Sequence, residues 1–352
     1  MITDEKFKPF CMATGIGSLP HKDPELASEL VIQNTPYIPF WPQLTKRGIK
    51  EGMAGQYSEA MPGITFDEKK ERFYFDTSGD ITGRLERFFE RFLENDFSYF
   101  GISREYAVGF YAMKERLNRD RPENMIGIKG QITGPITYSM MLKDETGKDI
   151  IHNEMLYDAI VKGLSMKACW QIDQLREFGL PIIISIDEPG LVSVGSAYST
   201  LSRDEIIRVW NEVIEHITQE GGIAAIHCCG NTDWSLLFDS KCNIINFDSY
   251  GFMDKMALYP DGLKSFLSRG GILGWGAIPT SDNINNESID GLMSRIDDAV
   301  ALLVSKGIEK EMLLSQSLIT PSCGMGSLSI EQAVKVMELT SGLSSEMRKR
   351  YF

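Results

Sequence analysis

The sequence predicts an α/β protein that forms a single (β/α)8 TIM barrel with one insertion between its first two strands. Short apolar runs recur along the chain, amphipathic stretches of helical length separate them, and no linker or low-complexity segment interrupts the alternation. Residues 1–352 are therefore expected to form one domain. A doubly wound open sheet is the alternative fold, but the Gly-rich phosphate loop that usually follows its first strand is absent.

The predicted strands are runs rich in Ile, Val and Leu, as is typical of parallel strands buried on both faces. They cover residues 11–17, 97–102, 125–132, 181–187, 222–228, 243–248, 271–277 and 312–318. Helical patterns lie between them, and the helix after the fourth strand begins at Ser202, a residue type that caps helices. Residues 37–80 break the alternation, and we expect an extra hairpin or lid there, over one end of the barrel.

Composition excludes several classes of function. No apolar stretch approaches the about 18 residues that span a membrane, and the N-terminus lacks the layout of a secretory signal, so a cytoplasmic location is expected. The formal net charge is −13 and no basic tract is present, which argues against nucleic acid as a partner. Six cysteines in 352 residues are too few for a disulfide scaffold and are expected to be thiols.

The carboxyl ends of the predicted strands carry the reactive side chains. In a (β/α)8 barrel these ends meet at one mouth, where catalysis takes place. The residues found there are Gly17, Ser18, Ser103, Glu105, Thr133, Gly134, Asp187, Glu188, His227, Cys228, Cys229, Asp248 and Cys323. An imidazole, thiols and carboxylates are thus expected to converge on one site.

A zinc site is the main hypothesis from this set. His227 and Cys229 are two residues apart in a strand, so their side chains point to the same face, whereas Cys228 points away. Cys323 approaches from the last strand. One imidazole and two thiolates suit Zn²⁺. Asp248 is either the fourth ligand, or that position is left to water or substrate. A lone His-x-Cys pair often belongs to a buried strand end, but the independent placement of Cys323 favours the metal.

Five segments also carry a family resemblance. They are TGIGSLP (14–20), QITGPIT (131–137), ISIDEPGL (184–191), IHCCGNTDW (226–234) and ITPSCG (319–324). In this order they resemble the catalytic barrel of cobalamin-independent methionine synthase. More broadly they are similar to the uroporphyrinogen-decarboxylase and methionine-synthase superfamily, which includes zinc methyltransferases that use methylcorrinoid proteins. The similarity runs from about residue 12 to 326.

The resemblance implies a zinc ion that binds the thiol of homocysteine. Its ligands would be His227, Cys229 and Cys323, with Asp248 where the family has Glu. It also implies that homocysteine is held by the backbone of Ile16, Gly17 and Ser18, by Asp187, and by Glu105 as a second carboxylate.

Asp187 and Glu188 are predicted to be catalytic because both directly follow a buried strand. An acidic pair at a helix N-terminus, before Pro189, is the alternative interpretation. An amino-acid substrate needs a carboxylate for its ammonium group, a role predicted for Asp187 and Glu105. Its own carboxylate needs donors, which the main chain near Gly17 and Ser18 is expected to supply.

The methyl donor is predicted from departures from the family. The tryptophan that packs on folate is replaced near Met141, the histidine after the seventh strand gives way to Ser281 or Asp282, and the chain matches only the catalytic half of the full-length enzyme. A methylcorrinoid or corrinoid protein is therefore the expected donor.

Three other functions stay open. One is methylation of another thiol such as coenzyme M, although a sulfonate has no ammonium group for Asp187. Another is a decarboxylase of the same superfamily, which would need arginines where only Arg104 is close. The last is a non-catalytic zinc-binding barrel with a closed site.

Overall fold

The computed structural model describes residues 7–70, 72–193 and 201–352. Nine strands are found there: β1 (Met12–Ala13), β2 (Ile64–Asp67), β3 (Arg72–Phe75), β4 (Ile128–Thr133), β5 (Ile182–Asp187), β6 (Ile223–Cys228), β7 (Ile244–Phe247), β8 (Ile272–Ile278) and β9 (Ser317–Pro321). Seven of them form one parallel sheet in the order β1-β9-β8-β7-β6-β5-β4.

Twelve α-helices occur in the same described ranges. They are α1 (Pro24–Asn34), α2 (Ile81–Leu93), α3 (Val108–Arg119), α4 (Pro135–Met141), α5 (Glu154–Leu175), α6 (Arg203–Gln219), α7 (Trp234–Asp239), α8 (Ser249–Met256), α9 (Pro260–Ser268), α10 (Ile289–Ser305), α11 (Lys310–Ser315) and α12 (Ile330–Tyr351). The predicted cap of α6 is confirmed, since the Ser202 side chain accepts a hydrogen bond from the backbone of Glu205. None of these helices combines the length and the apolar composition that crossing a bilayer requires.

The predicted second strand, residues 97–102, is not a strand. Its backbone forms turns in which Tyr99 N donates to Asp96 O and Gly101 N donates to Ser98 O. Its apolar character serves packing instead, because the Phe100 ring is fully buried against Phe88. The prediction of a strand from this run was therefore wrong.

Residues 38–43 take the place between β1 and β4. Trp41 N donates to Lys129 O of β4 at 3.3 Å, and Gln43 N donates to Gly17 O, just beyond β1, at 3.0 Å. Only isolated bridges form, because Pro39 and Pro42 have no N–H to donate. Backbone pairing thus continues from β4 through this segment to the chain beyond β1. The arrangement is consistent with a TIM-like barrel in which seven regular strands and one irregular segment line the interior.

The rest of the range 37–80 holds an antiparallel hairpin, β2–β3, in which Ile64 lies opposite Phe75. Residue 71, between these strands, lies outside the described residues. The eighth predicted strand is displaced along the chain: residues 310–315 form α11, and β9 begins at Ser317.

Two apolar clusters form the core. The larger one packs the helices against the outside of the sheet. The smaller one lies inside the ring of strands and comprises Ile38, Ile183, Ala225, Ile244, Ile272 and Leu318. The irregular segment and five strands contribute to this inner cluster, so the interior is packed at one end and open for polar side chains at the other.

Candidate active site

The inward faces of β5, β6 and β7 change from apolar to polar along each strand. Alternate residues of a strand point to the same side. From the inner cluster towards the carboxyl ends, the three layers are Ile183, Ala225 and Ile244, then Ser185, His227 and Asn246, then Asp187, Cys229 and Asp248. The strands therefore deliver their polar side chains to the mouth of the barrel.

Three potential metal ligands meet at this mouth. One ligand atom each of His227, Cys229 and Cys323 lies within 4.8 Å of the other two. His227 belongs to β6 and Cys229 directly follows that strand, whereas Cys323 comes from the loop after β9. The imidazole is buried and both thiols are partly exposed. The structure thus brings together the three residues that the sequence pattern predicts as ligands.

The orientation of His227 fits a metal ligand. Its Nδ1 atom lies 2.5 Å from Oδ1 of Asn246. Its Nε2 atom is buried and has no nitrogen or oxygen hydrogen-bond partner among the described residues, and the Cys229 sulfur lies close to the ring. A buried polar atom without a partner is costly. A metal ion bound at Nε2 would remove this cost, and Zn²⁺ is the ion that one imidazole and two thiolates suit best.

The charges of the three groups are coupled. The neighbouring Cys323 thiol stabilises the thiolate of Cys229, so the pKa of Cys229 is lowered and that of Cys323 is raised. Burial lowers the pKa of His227, but the adjacent Cys229 and the Asp187 carboxylate outweigh burial, and the net shift is upward. The metal-free site therefore holds one reactive thiolate.

We expect Cys229 to be alkylated first when metal-free protein is treated with iodoacetamide. Burial raises the pKa of Cys11, Cys169 and Cys228 to about 12 and that of Cys242 to about 11, so these thiols stay protonated. Because the pKa of Cys229 is lowered, its rate should change little between pH 8 and pH 6. An ordinary thiol loses about tenfold per pH unit over this range.

Peptide mass spectrometry over a time course measures this order of modification. Zinc added before the reagent serves as the control and should protect Cys229 and Cys323 together. Faster labelling of Cys323, or equal labelling of all cysteines, would contradict the assignment of the thiolate.

A cavity of about 380 Å³ opens beside the ligand group. Its walls include three residues predicted to bind substrate: Ile16, Ser18 and Asp187. This size is near the lower end of the range for small-molecule sites, which run from about 300 to 1,000 Å³. The cavity therefore suits a small molecule.

Asp187 ends β5 and lines the cavity. Its Oδ1 atom accepts a hydrogen bond from Ser185 Oγ at 2.6 Å. Burial raises the pKa of Asp187, while the charges of Lys129 and His227 oppose that rise. Lys129 is buried, its Nζ donates to the backbone oxygen of Ile16, and burial lowers its pKa to about 8. The carboxylate thus has a fixed position and one oxygen left for a cationic group of a substrate.

Ser18 lies where the loop after β9 meets the end of the first strand. Its Oγ accepts from Gly326 N at 3.2 Å, and its backbone oxygen accepts from Met325 N at 2.9 Å. The Ser18 hydroxyl can still donate its own hydrogen into the cavity. Gly17 packs against Gln131, since a Cβ at Gly17 would lie 2.9 Å from Cδ of that residue.

Glu188 does not line the cavity. Its carboxylate is fully buried and accepts hydrogen bonds from Ile136 N, Thr137 N, Thr137 Oγ1 and Trp210 Nε1. It thereby satisfies the first backbone N–H groups of α4. Both oxygens are engaged away from the cavity, at the N-terminus of α4 and not at the turn that begins at Pro189, so Glu188 has a structural role that differs from both sequence interpretations.

We therefore expect Glu188→Ala to lower stability without changing zinc content. The change leaves buried donors unsatisfied, at about 1–3 kcal/mol for such a loss. Urea unfolding measures the effect, and Glu188→Gln is the matched control, expected to lose less because it keeps an acceptor oxygen. A Glu188→Ala protein that keeps its stability but loses catalytic activity would support the predicted catalytic role of Glu188 instead.

Two further predicted residues lie outside the three-residue ligand group. Glu105 is exposed, forms an ion pair with Lys50 at 2.5 Å and does not line the cavity. Asp248 caps α8, since its Oδ1 accepts from Gly251 N at 2.8 Å. The capping bond keeps one oxygen of Asp248 occupied.

Sequence reasoning missed several residues that the structure places in the site. Gln43, Thr45, Met53 and Tyr57 line the cavity and come from the range predicted as an insertion. Asn246 was missed as well, although an amide within the apolar run IINF is a signal, because buried polar residues in strands usually have a partner or a function.

The fold is a curled parallel sheet flanked by helices, consistent with a TIM-like barrel, and its mouth carries one imidazole and two cysteine sulfurs. No protein-family model and no curated protein matches the chain. Among solved structures, the chain is similar to a B12-independent methionine synthase from Shewanella sp. W3-18-1, in complex with selenomethionine. The TM-score is 0.60 at 16% sequence identity, over 96% of this chain and 98% of that one. This likeness shows the fold.

A second structure covers a similar share of the chain but is more distant. It comes from the pneumococcal exo-β-D-N-acetylglucosaminidase StrH, which has tandem GH20 catalytic modules. The TM-score is 0.47 at 9% identity, with 97% of this chain and 86% of that one covered.

Proposed function

We propose that the protein is a zinc-dependent methyltransferase that methylates the thiol of homocysteine to give methionine. The observation that carries the proposal is the convergence of ligand atoms of His227, Cys229 and Cys323 within 4.8 Å beside a cavity that Asp187 also lines. A soft metal site next to a carboxylate matches a substrate with a thiol at one end and an ammonium group at the other. The solved structure with the similar fold is described as a methionine synthase.

His227, Cys229 and Cys323 would hold the zinc. Bound zinc lowers the pKa of a thiol that joins its ligand set, so that the sulfur stays nucleophilic at neutral pH. Three protein ligands leave a position for a substrate, as in catalytic zinc sites. A fourth protein ligand would have to come from the second oxygen of Asp248, because its Oδ1 caps α8.

The remaining residues orient the amino acid. The free oxygen of Asp187 accepts the ammonium group, and the Ser185 bond keeps that carboxylate from rotating. The Ser18 hydroxyl donates to the substrate carboxylate, while the bond from Gly326 N fixes its oxygen. Coenzyme M carries no ammonium group for Asp187, which favours homocysteine as the acceptor.

For the donor we propose a methylcorrinoid presented by a protein. Met141, at the position where the resembling family carries a folate-packing tryptophan, is exposed at the end of α4 and does not line the cavity. Methyl on cobalt is open to direct displacement by a thiolate, whereas methyl on a folate amine first needs protonation of its leaving group. The solved methionine synthase is described as B12-independent. Methyltetrahydrofolate is therefore the second candidate.

The test supplies zinc-loaded protein and homocysteine with methylcobalamin or methyltetrahydrofolate in parallel. Mass spectrometry should detect methionine with the corrinoid only, and slowly with free methylcobalamin because a carrier protein would orient it. Faster turnover with methyltetrahydrofolate would refute the proposed corrinoid donor and leave homocysteine as the proposed acceptor.

A cobalt-substituted sample tests the acceptor by itself. Homocysteine should change the absorption bands of cobalt bound to sulfur. If the bands stay unchanged and neither donor gives methionine, the protein is a non-catalytic metal-binding barrel.

A further inference from the structure

A hydrogen-bond relay inside the barrel connects the two strands that deliver the metal ligands. Asn246 of β7 contacts His227 Nδ1 through its Oδ1 at 2.5 Å, and its Nδ2 donates to Thr320 Oγ1 of β9 at 2.7 Å. All three side chains are buried. His227 lies on β6 next to Cys229, and Cys323 follows β9, so the relay joins both sources of ligands.

The strand register gives the amide its path across the barrel. Asn246 pairs with His227 on one side and with Gly274 of β8 on the other. A Cβ at Gly274 would lie 2.4 Å from Asn246 Nδ2, closer than real Cβ atoms approach other atoms. The absence of a side chain at Gly274 therefore lets Asn246 reach past β8 to Thr320.

The relay determines which ring nitrogen of His227 carries the hydrogen and which one has a lone pair free to bind a metal ion. A neutral imidazole carries one N–H, and the tautomer depends on the partner of each nitrogen. With the Asn246 oxygen against Nδ1, the hydrogen lies on Nδ1 and Nε2 is left as an acceptor. An amide turned the other way would place the hydrogen on Nε2 and block metal binding. Partners of this kind, behind a metal-ligating histidine, commonly contribute about 10–100-fold in affinity.

We infer that Asn246, with Thr320 and Gly274, is the positioning residue that selects the metal-binding tautomer of His227. The inference rests on the proposed zinc-dependent function and concerns the residues that orient one of the proposed zinc ligands. A neutral amide also leaves the donor set of one imidazole and two thiolates at a charge that balances Zn²⁺. Asn246 itself touches neither metal nor substrate.

The test compares the zinc dissociation constants of four variants by competition with a chromophoric chelator. Asn246→Ala should bind zinc about 10–100-fold more weakly than the unmodified protein. Asn246→Asp keeps the acceptor oxygen and should retain most of the affinity, and Thr320→Val should fall between them. Asn243→Ala is the matched control, because Asn243 bonds Ala224 N at the opposite end of the sheet.

A second readout needs no metal. Nitrogen-15 NMR of histidine-labelled, metal-free protein, at a pH where the imidazole is neutral, should show His227 with its hydrogen on Nδ1. The same tautomer is expected in Asn246→Asp, and a shift towards Nε2–H in Asn246→Ala. Circular dichroism identifies any variant that fails to fold, in which case Thr320→Val and Asn246→Asp carry the comparison.

The two hypotheses fail in different ways. If the unmodified protein binds no zinc, the proposed function falls, while the NMR experiment still decides the tautomer. If it binds zinc and the folded Asn246→Ala variant binds equally tightly, the positioning role is overturned. A hydrogen on Nε2 in the unmodified protein would overturn it as well.

Discussion

Serine in place of Cys229 or Cys323 is expected to abolish the proposed zinc binding and, with it, the proposed methyl transfer to homocysteine. Each change replaces one of three ligand atoms within 4.8 Å by a hydroxyl that stays protonated and is a poor ligand for Zn²⁺. The loss of zinc affinity should exceed the about 10–100-fold that is typical when a residue that hydrogen-bonds to a metal ligand is mutated.

Elemental analysis after dialysis against a chelator measures the bound zinc. Cys228→Ser is the matched control, because this neighbouring thiol is buried, points away from the cavity and is not among the three grouped ligands. It should keep about one zinc per chain. Stoichiometric zinc in both the Cys229 and the Cys323 variants would refute the metal site.

Asp187→Asn is expected to weaken homocysteine binding about 10–150-fold while zinc content stays the same. The change removes a charge-assisted hydrogen bond to the ammonium group, and such bonds contribute about 1.5–3 kcal/mol. The Ser185 hydroxyl can still donate to the remaining amide oxygen, so the local backbone should hold its position.

Titration calorimetry of the zinc-loaded protein gives the affinity. Glu105→Gln is the control, since Glu105 is exposed, pairs with Lys50 and lies off the cavity wall. Unchanged affinity in Asp187→Asn would refute the proposed contact between Asp187 and the ammonium group. A loss in Glu105→Gln as large as the predicted one would assign that contact to Glu105.

Most of the barrel could be predicted because its strands are apolar and alternate with helices. Residues 97–102 misled the prediction, since aromatic side chains that pack onto α2 look the same in sequence as those of a buried strand. The opposite error concerns residues 38–43, which were included in the predicted hairpin or lid, although the segment lies beside β4 and lines the interior. Both errors arise from long-range packing, which a local pattern does not contain.

The ligand group could be predicted because period-two spacing places His227 and Cys229 on one face. The role of Glu188 could not, because its partners Thr137 and Trp210 lie far away in sequence. Adjacent carboxylates after a strand look alike until the structure shows that Asp187 faces the cavity and Glu188 faces a helix. Asn246 was missed because its partners lie on neighbouring strands.

The third sulfur of the ligand group lies next to the place where the two ends of the chain meet. β9 pairs with β1, where Leu318 lies opposite Met12, and Met325 N donates to Ser18 O. Contacts so distant in sequence carry a high closure entropy and tend to form late. His227 and Cys229 are neighbours as soon as β6 exists, whereas Cys323 joins them only after β7, β8 and β9 have been added to the sheet. The proposed zinc, bound by all three atoms, would therefore stabilise the folded sheet, and its contribution would grow with the logarithm of the free zinc concentration.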